Sequence, residues 1–235
     1  MSDDLSETVE CAEPAEVAEI PEETPVKSSL PITRPLAEGN ELPPDSASAS
    51  PPQKSFLHIG CGTAGPERLP AVFRGEAWRE IRLDIDPAVR PDIVASSADM
   101  STVADASVDA VWSSHNLEHL EAHEAPLALQ EMYRVLKADG FALITLPDLQ
   151  AVAQLVAMGR LCETVYQSPM GPITALDMLY GHRKSLAAGN RFMAHRNGFD
   201  AKSLGESLLA AGFKEVRVRA GTCYDLWAYA LKTVL

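Results

Sequence analysis

From residue 54 onward the chain alternates short apolar runs with longer amphipathic ones, and that alternation restricts the fold more than any other feature. SFLHI, REIRLDI, PDIVA, VDAVWS and FALITLP read as strands. FALITLP is apolar on both faces, as suits a central strand of a parallel sheet. Pro66 suits the first position of a helix that runs through Phe73. A second helix is expected from Ala122 to Lys137, with Ala125, Ala128, Leu129, Met132, Val135 and Leu136 on one face and Asp139-Gly140 closing it. Another starts near Asp148, and a last one runs from the N-cap Asp200 to Ala211 and stops at Gly212. KEVRVRA and YDLWAYALKTV leave no room for a helix between them, so they pair as an antiparallel C-terminal hairpin. The expected class is α/β, a doubly wound, mostly parallel seven-stranded sheet.

Composition divides the chain of 235 residues at about residue 53. Residues 1–53 are rich in Pro, Glu, Ser and Ala and poor in aromatics, which predicts a disordered acidic tail. Much of the formal net charge of -13 resides there, with only Lys27 and Arg34 as bases. Such a tail solubilises the protein or docks a basic partner. Residues 54–235 form the folded domain, with an irregular segment near 159–199 read as a substrate-side insert. The acidic balance argues against a nucleic-acid partner, and no apolar run is long enough to cross a membrane. The N-terminus lacks a basic region and an apolar stretch, and the cysteines at 11, 61, 162 and 223 are widely spaced, so the cytoplasm is the expected compartment.

The first strand runs into Gly60-Cys61-Gly62-Thr63-Ala64-Gly65, a GxGxxG turn. Glycines allow a sharp bend and close ligand approach, and an acid at the end of the next strand can bind ribose hydroxyls. Asp84 has that position. The pattern implies an adenosine-containing cofactor without choosing among dinucleotides and others.

The segment from Phe56 to Pro147 resembles the class I S-adenosylmethionine-dependent methyltransferases of the small-molecule, type 11-like kind, which have a Rossmann-like sheet. LHIGCG resembles the family's first motif and LDIDP its second. The resemblance implies S-adenosyl-L-methionine as cofactor, with Gly60, Cys61 and Gly62 at the turn and Asp84 and Ile85 at the ribose. SADM resembles the third motif, which implies Asp99 on the adenine amino group and the Met100 backbone N–H on the ring. VDAVWSSHNLEHL resembles the fourth strand and its loop, which implies Ser113 and Ser114 against the methionine part. Two positions depart from the pattern: Ser96 stands where an acid is frequent, and Asp139 replaces a proline.

Three local patterns point elsewhere. Tyr133 and Lys137 have the YxxxK spacing of short-chain dehydrogenases, but they precede the fifth strand instead of following it. HNLEH, His115 to His119, spells an inverted zinc-protease motif, but no third acidic ligand follows in a suitable helix, so no metal is expected. The basic stretch from Gly181 to Phe199 reads as a solvated face or a substrate lid. In the lid reading His195 or His182 takes a proton from the acceptor, and the arginines hold an anionic group. The expected function is methyl transfer from S-adenosylmethionine to a small-molecule or glycan-type acceptor. The alternatives are an inactive methyltransferase-like scaffold and an NAD-dependent oxidoreductase.

Overall fold

A computed structural model describes residues 53–233. The acidic segment, with its proposed docking role, lies outside the described residues apart from Gln53. In chain order the strands are β1 (Lys54–Ile59), β2 (Trp78–Asp84), β3 (Ile93–Val94), β4 (Val108–Ser114), β5 (Leu136–Pro147), β6 (Thr164–Ser168), β7 (Gly171–Thr174), β8 (Glu215–Ala220) and β9 (Asp225–Leu231). Seven of them form one sheet in the order β3-β2-β1-β4-β5-β9-β8. Its pairings are parallel from β3 to β5, and β9 runs antiparallel to both β5 and β8. The C-terminal hairpin expected from the sequence is therefore present. The strand order reverses between β1 and β4, and ligands of open α/β sheets bind beyond the strand ends at such a point.

Alternation along β1 sorts its side chains to two cores. Leu57 and Ile59 join the larger one, which α1 (Ala125–Val135) covers with Ala128, Leu129 and Met132 and α5 (Ala201–Ala211) with Leu204 and Leu208. The Asp200 carboxylate accepts from the Ser203 N–H in a reciprocal capping box, and Gly212 ends α5 in the left-handed region, as the sequence predicts.

Phe56 faces the opposite core, which is aromatic. It stacks on Phe73 at 4.4 Å, and Trp112 stacks on Trp227 at 5.7 Å. The helix expected from Pro66 to Phe73 is instead two short 3-10 turns, Pro66–Arg68 and Ala71–Phe73. Pro70 lacks an N–H and favours an extended Leu69, which breaks a continuous helix. Leu69 and Phe73 still reach the core from these turns.

The insert has more regular structure than the sequence suggested. After α2 (Leu149–Ala157), β6 and β7 form a separate antiparallel hairpin, followed by α3 (Ala175–Tyr180) and α4 (Arg183–Ala187). Val152, Leu155, Ile173, Ala175 and Met178 give these elements a small core of their own. No helix among the described residues is long and apolar enough to cross a membrane.

Candidate functional site

The chain turns sharply where β1 ends. Gly60 and Gly62 have φ of 66° and 51°, a region that favours glycine. A side chain at Gly60 would come within 2.8 Å of Asn116 Nδ2, whereas one at Gly62 would project into open space. The Gly60 and Cys61 N–H groups donate to the Leu83 carbonyl, which fastens the turn to β2. The Asp84 carboxylate accepts from the Gly62 N–H at 2.8 Å and from the Asp86 N–H at 2.9 Å. Arg82 donates to the carbonyls of Gly62 and Ala64 at 2.7 and 2.9 Å. In the sequence Arg82 alternates with apolar neighbours like any strand residue, so nothing in its spacing signals this clamp.

A cavity of about 270 Å³ opens beyond this turn. Gly60, Gly62, Asp84 and Ile85 line one side, Ser96 and Ser97 another, and Asn116 and His119 a third. Phe192, Met193 and Arg196 of the insert complete it, so part of the basic stretch forms a cavity wall. Asp99 and Met100 do not reach it. Asp99 borders a separate depression with Asp105 and Glu131. The Met100 N–H already donates to Glu131 Oε2 at 2.7 Å, and its side chain is buried in the core. Ser96 and Ser97 occupy the wall where Asp99 was expected. The Asp99 N–H donates to the Ser96 carbonyl in a tight reversal that turns the acid away.

A second cavity of about 750 Å³ adjoins the same glycine turn. His58, Ser114, Thr145 and Asp225 supply polar groups, while Trp112 and Trp227 supply aromatic faces. Asp225 accepts from Trp227 Nε1 at 2.7 Å. Cys61 lines this cavity, but burial pushes its thiol up to about 11, which keeps it protonated and unreactive at neutral pH. Ser113 is fully buried one residue before Ser114, and its hydroxyl lacks a hydrogen-bond partner.

Gly60, Gly62 and His115 border both cavities. His115 has φ of 48°, an uncommon conformation for a residue with a side chain. Its Nδ1 lies 3.0 Å from Glu118 Oε1. Burial acts to lower the His115 pKa, but the hydrogen bond and charge of Glu118, helped by Asp225, hold it above the ordinary imidazole value. Burial likewise acts to raise the Glu118 pKa, and the histidines around it hold it low. His195 is held below the ordinary value, chiefly by burial. Neither His195 nor His182 lines either cavity. His182 is the residue before α4, with its Nδ1 at 2.7 Å from Ser185 Oγ, and His195 Nδ1 donates to the Met178 carbonyl at 2.8 Å.

The YxxxK pair does not form a proton-transfer unit. Tyr133 packs edge-on against Phe213 at 5.4 Å, and Lys137 pairs with Asp109 at 2.7 Å. The glycine turn leads into a 3-10 turn, so no α-helix N-terminus follows it to receive a pyrophosphate. Both observations weigh against a nicotinamide dinucleotide.

Residues 57–144, from β1 into β5, match the methyltransferase domain family. The sheet has the Rossmann-like fold of methyltransferases. Its fold is shared with a SAM-dependent methyltransferase from Archaeoglobus fulgidus, at 15% identity and a TM-score of 0.53, over 77% of this chain and 87% of that one. A SAM-dependent methyltransferase from Methanosarcina mazei superposes at 16% identity and a TM-score of 0.52, over 78% of this chain and 94% of the other. A possible histamine N-methyltransferase from Thermotoga maritima does so at 14% identity and 0.50, over 77% and 83%. No curated protein matches the sequence.

Proposed function

We propose that the domain transfers a methyl group from S-adenosylmethionine to a small-molecule or glycan-type acceptor. The observation that carries this reading is the sharing of Gly60, Gly62 and His115 by two cavities, so that ligands in both would meet across one wall. The smaller cavity fits the cofactor's adenosine. Asp84 can accept from ribose hydroxyls with the lone pairs that Gly62 and Asp86 leave free, and Ser96 and Ser97 offer polar groups to the base. The open space before Gly62 allows a ligand to approach the backbone. When bound, the cofactor supplies a methyl group on a sulfonium, a leaving group that needs no acid.

The larger cavity suits the acceptor. Tryptophan faces beside hydroxyl and carboxylate groups match a ligand with both apolar and hydroxylated surfaces. Positioning does most of the work in such a transfer. Any proton that the acceptor must lose goes to His115 in this reading. Its Nδ1–H donates to the Glu118 carboxylate, which leaves the Nε2 lone pair to act as base.

Calorimetric titration of the full chain with S-adenosylhomocysteine, with NAD as control, tests the cofactor assignment. Binding of S-adenosylhomocysteine in the micromolar range without binding of NAD is expected. Binding of NAD alone, or of neither, would overturn it.

A further inference from the structure

The turn after β4 and the insert bring Glu118, His119 and His195 together, and one ligand atom from each lies within 4.8 Å of the others. The two imidazoles are oriented by backbone carbonyls. His119 Nδ1 is 3.1 Å from the Ala194 carbonyl, and His195 Nδ1 is 2.8 Å from the Met178 carbonyl. A carbonyl only accepts, so each Nδ1 carries the proton and each Nε2 keeps a lone pair. Metal-ligating histidines are commonly held in this way. The rings meet edge to face at 4.8 Å.

Glu118 supplies the second, independent observation. The residue is 1% exposed. Its Oε1 is held by His115, while its Oε2 is buried without a hydrogen-bond partner. A buried carboxylate oxygen left unpaired is costly, and a cation would relieve it. The main chain sets the spacing: the Glu118 carbonyl accepts from the N–H groups of Arg196 and Asn197 at 2.8 and 3.2 Å, next to His195.

We propose that Glu118, His119 and His195 form a binding site for a divalent transition-metal ion of zinc's class. Two imidazoles and a carboxylate suit such an ion and do not suit magnesium or calcium, which prefer oxygen donors. Three protein ligands leave a fourth position open. A tetrahedral zinc ion spaces its ligand atoms about 3.4 Å apart, so closure needs side-chain shifts on the order of an ångström. His119 also lines the smaller cavity, so the ion would stand at that cavity's wall. This site goes beyond the methyl-transfer reading and depends on neither cofactor nor acceptor. The inverted HNLEH motif lacked a third ligand in sequence, and His195 supplies it in space, with Glu118 in place of His115.

The test uses the full chain, stripped with chelator and titrated calorimetrically with zinc chloride, with magnesium chloride as control. X-ray absorption of the zinc-loaded protein reads the ligands directly. One zinc per chain with micromolar or tighter affinity is expected, with no magnesium binding and a first shell of two imidazoles and oxygen. His195→Ala and Glu118→Gln should each weaken zinc at least about tenfold. Absence of zinc binding, sulfur in the first shell, or unchanged affinity in a folded His195→Ala protein would overturn the site. The absorption measurement on the unaltered chain decides the matter even where a variant fails to fold.

Discussion

The Asp84 carboxylate accepts the Gly62 N–H at 2.8 Å, so the acid that ends β2 is tied to the second glycine of the turn that follows β1. One residue therefore shapes the turn and faces the cavity. Asp84→Ala should weaken S-adenosylhomocysteine binding at least tenfold, or about 1.4 kcal/mol. Calorimetry on a variant with a wild-type circular dichroism spectrum checks this, and unchanged affinity would remove Asp84 from the site.

His115 stands where the two cavities meet. His115→Gln should slow methyl transfer to a hydroxyl acceptor by about 100-fold or more, the usual effect of losing a general base. Single-turnover transfer from labelled cofactor measures the loss. His182→Ala should leave the rate within about twofold, because His182 lines neither cavity; equal losses in the two variants would exclude the special role of His115.

Asp177 anchors the insert. It accepts from Arg183 Nε at 2.8 Å and from Thr174 Oγ1 at 2.6 Å. Burial alone would raise its pKa, but Arg183 and Thr174 hold it well below the usual carboxylate range. A depressed folded value stabilises the protein fully above the unfolded carboxyl pKa of about 3.9, and this is lost as pH falls toward the folded value. Asp177→Asn should cost roughly 2 kcal/mol at pH 7. Thermal melts should show the gap to wild type narrowing from pH 5 to pH 3, and a constant gap would contradict the assignment.

Phe73 is buried and lies 4.4 Å from Phe56 and 5.9 Å from Phe141, ring to ring. Phe73→Ala should destabilise the domain by about 3–5 kcal/mol, read from urea unfolding. A loss below 1 kcal/mol would mean that the 3-10 turns do not support this face.

Local patterns carried much of this fold. Strand β1, the acid at Asp84 and the cap and stop of α5 each follow from neighbouring residues whose roles do not depend on distant contacts. Residues that depend on distant contacts were harder to read. Asp99 has the chemistry expected of an adenine ligand, yet a reversal at Ser96 turns it to another surface. The hairpin β6–β7 lies in a segment whose Pro169 and Gly171 suggested only irregular chain, although both suit its turn. His195 was singled out for proton transfer, but only folding shows it beside His119. The role proposed for His115 rests on the two cavities that it borders, and no sequence spacing encodes that.

If the larger cavity takes the acceptor as proposed, the aromatic face of the sheet limits how acceptor preference can change. Leu69, Trp112 and Trp227 belong to that hydrophobic core and also form the wall of the larger cavity. Trimming any of them to admit a bulkier acceptor removes packing that holds the domain together. Glu67, Arg68 and Pro169 line the same cavity but are exposed and lie outside that core, so exchanges there cost little packing. New acceptor ranges should therefore arise first by exchange at the rim, with the tryptophan floor left in place.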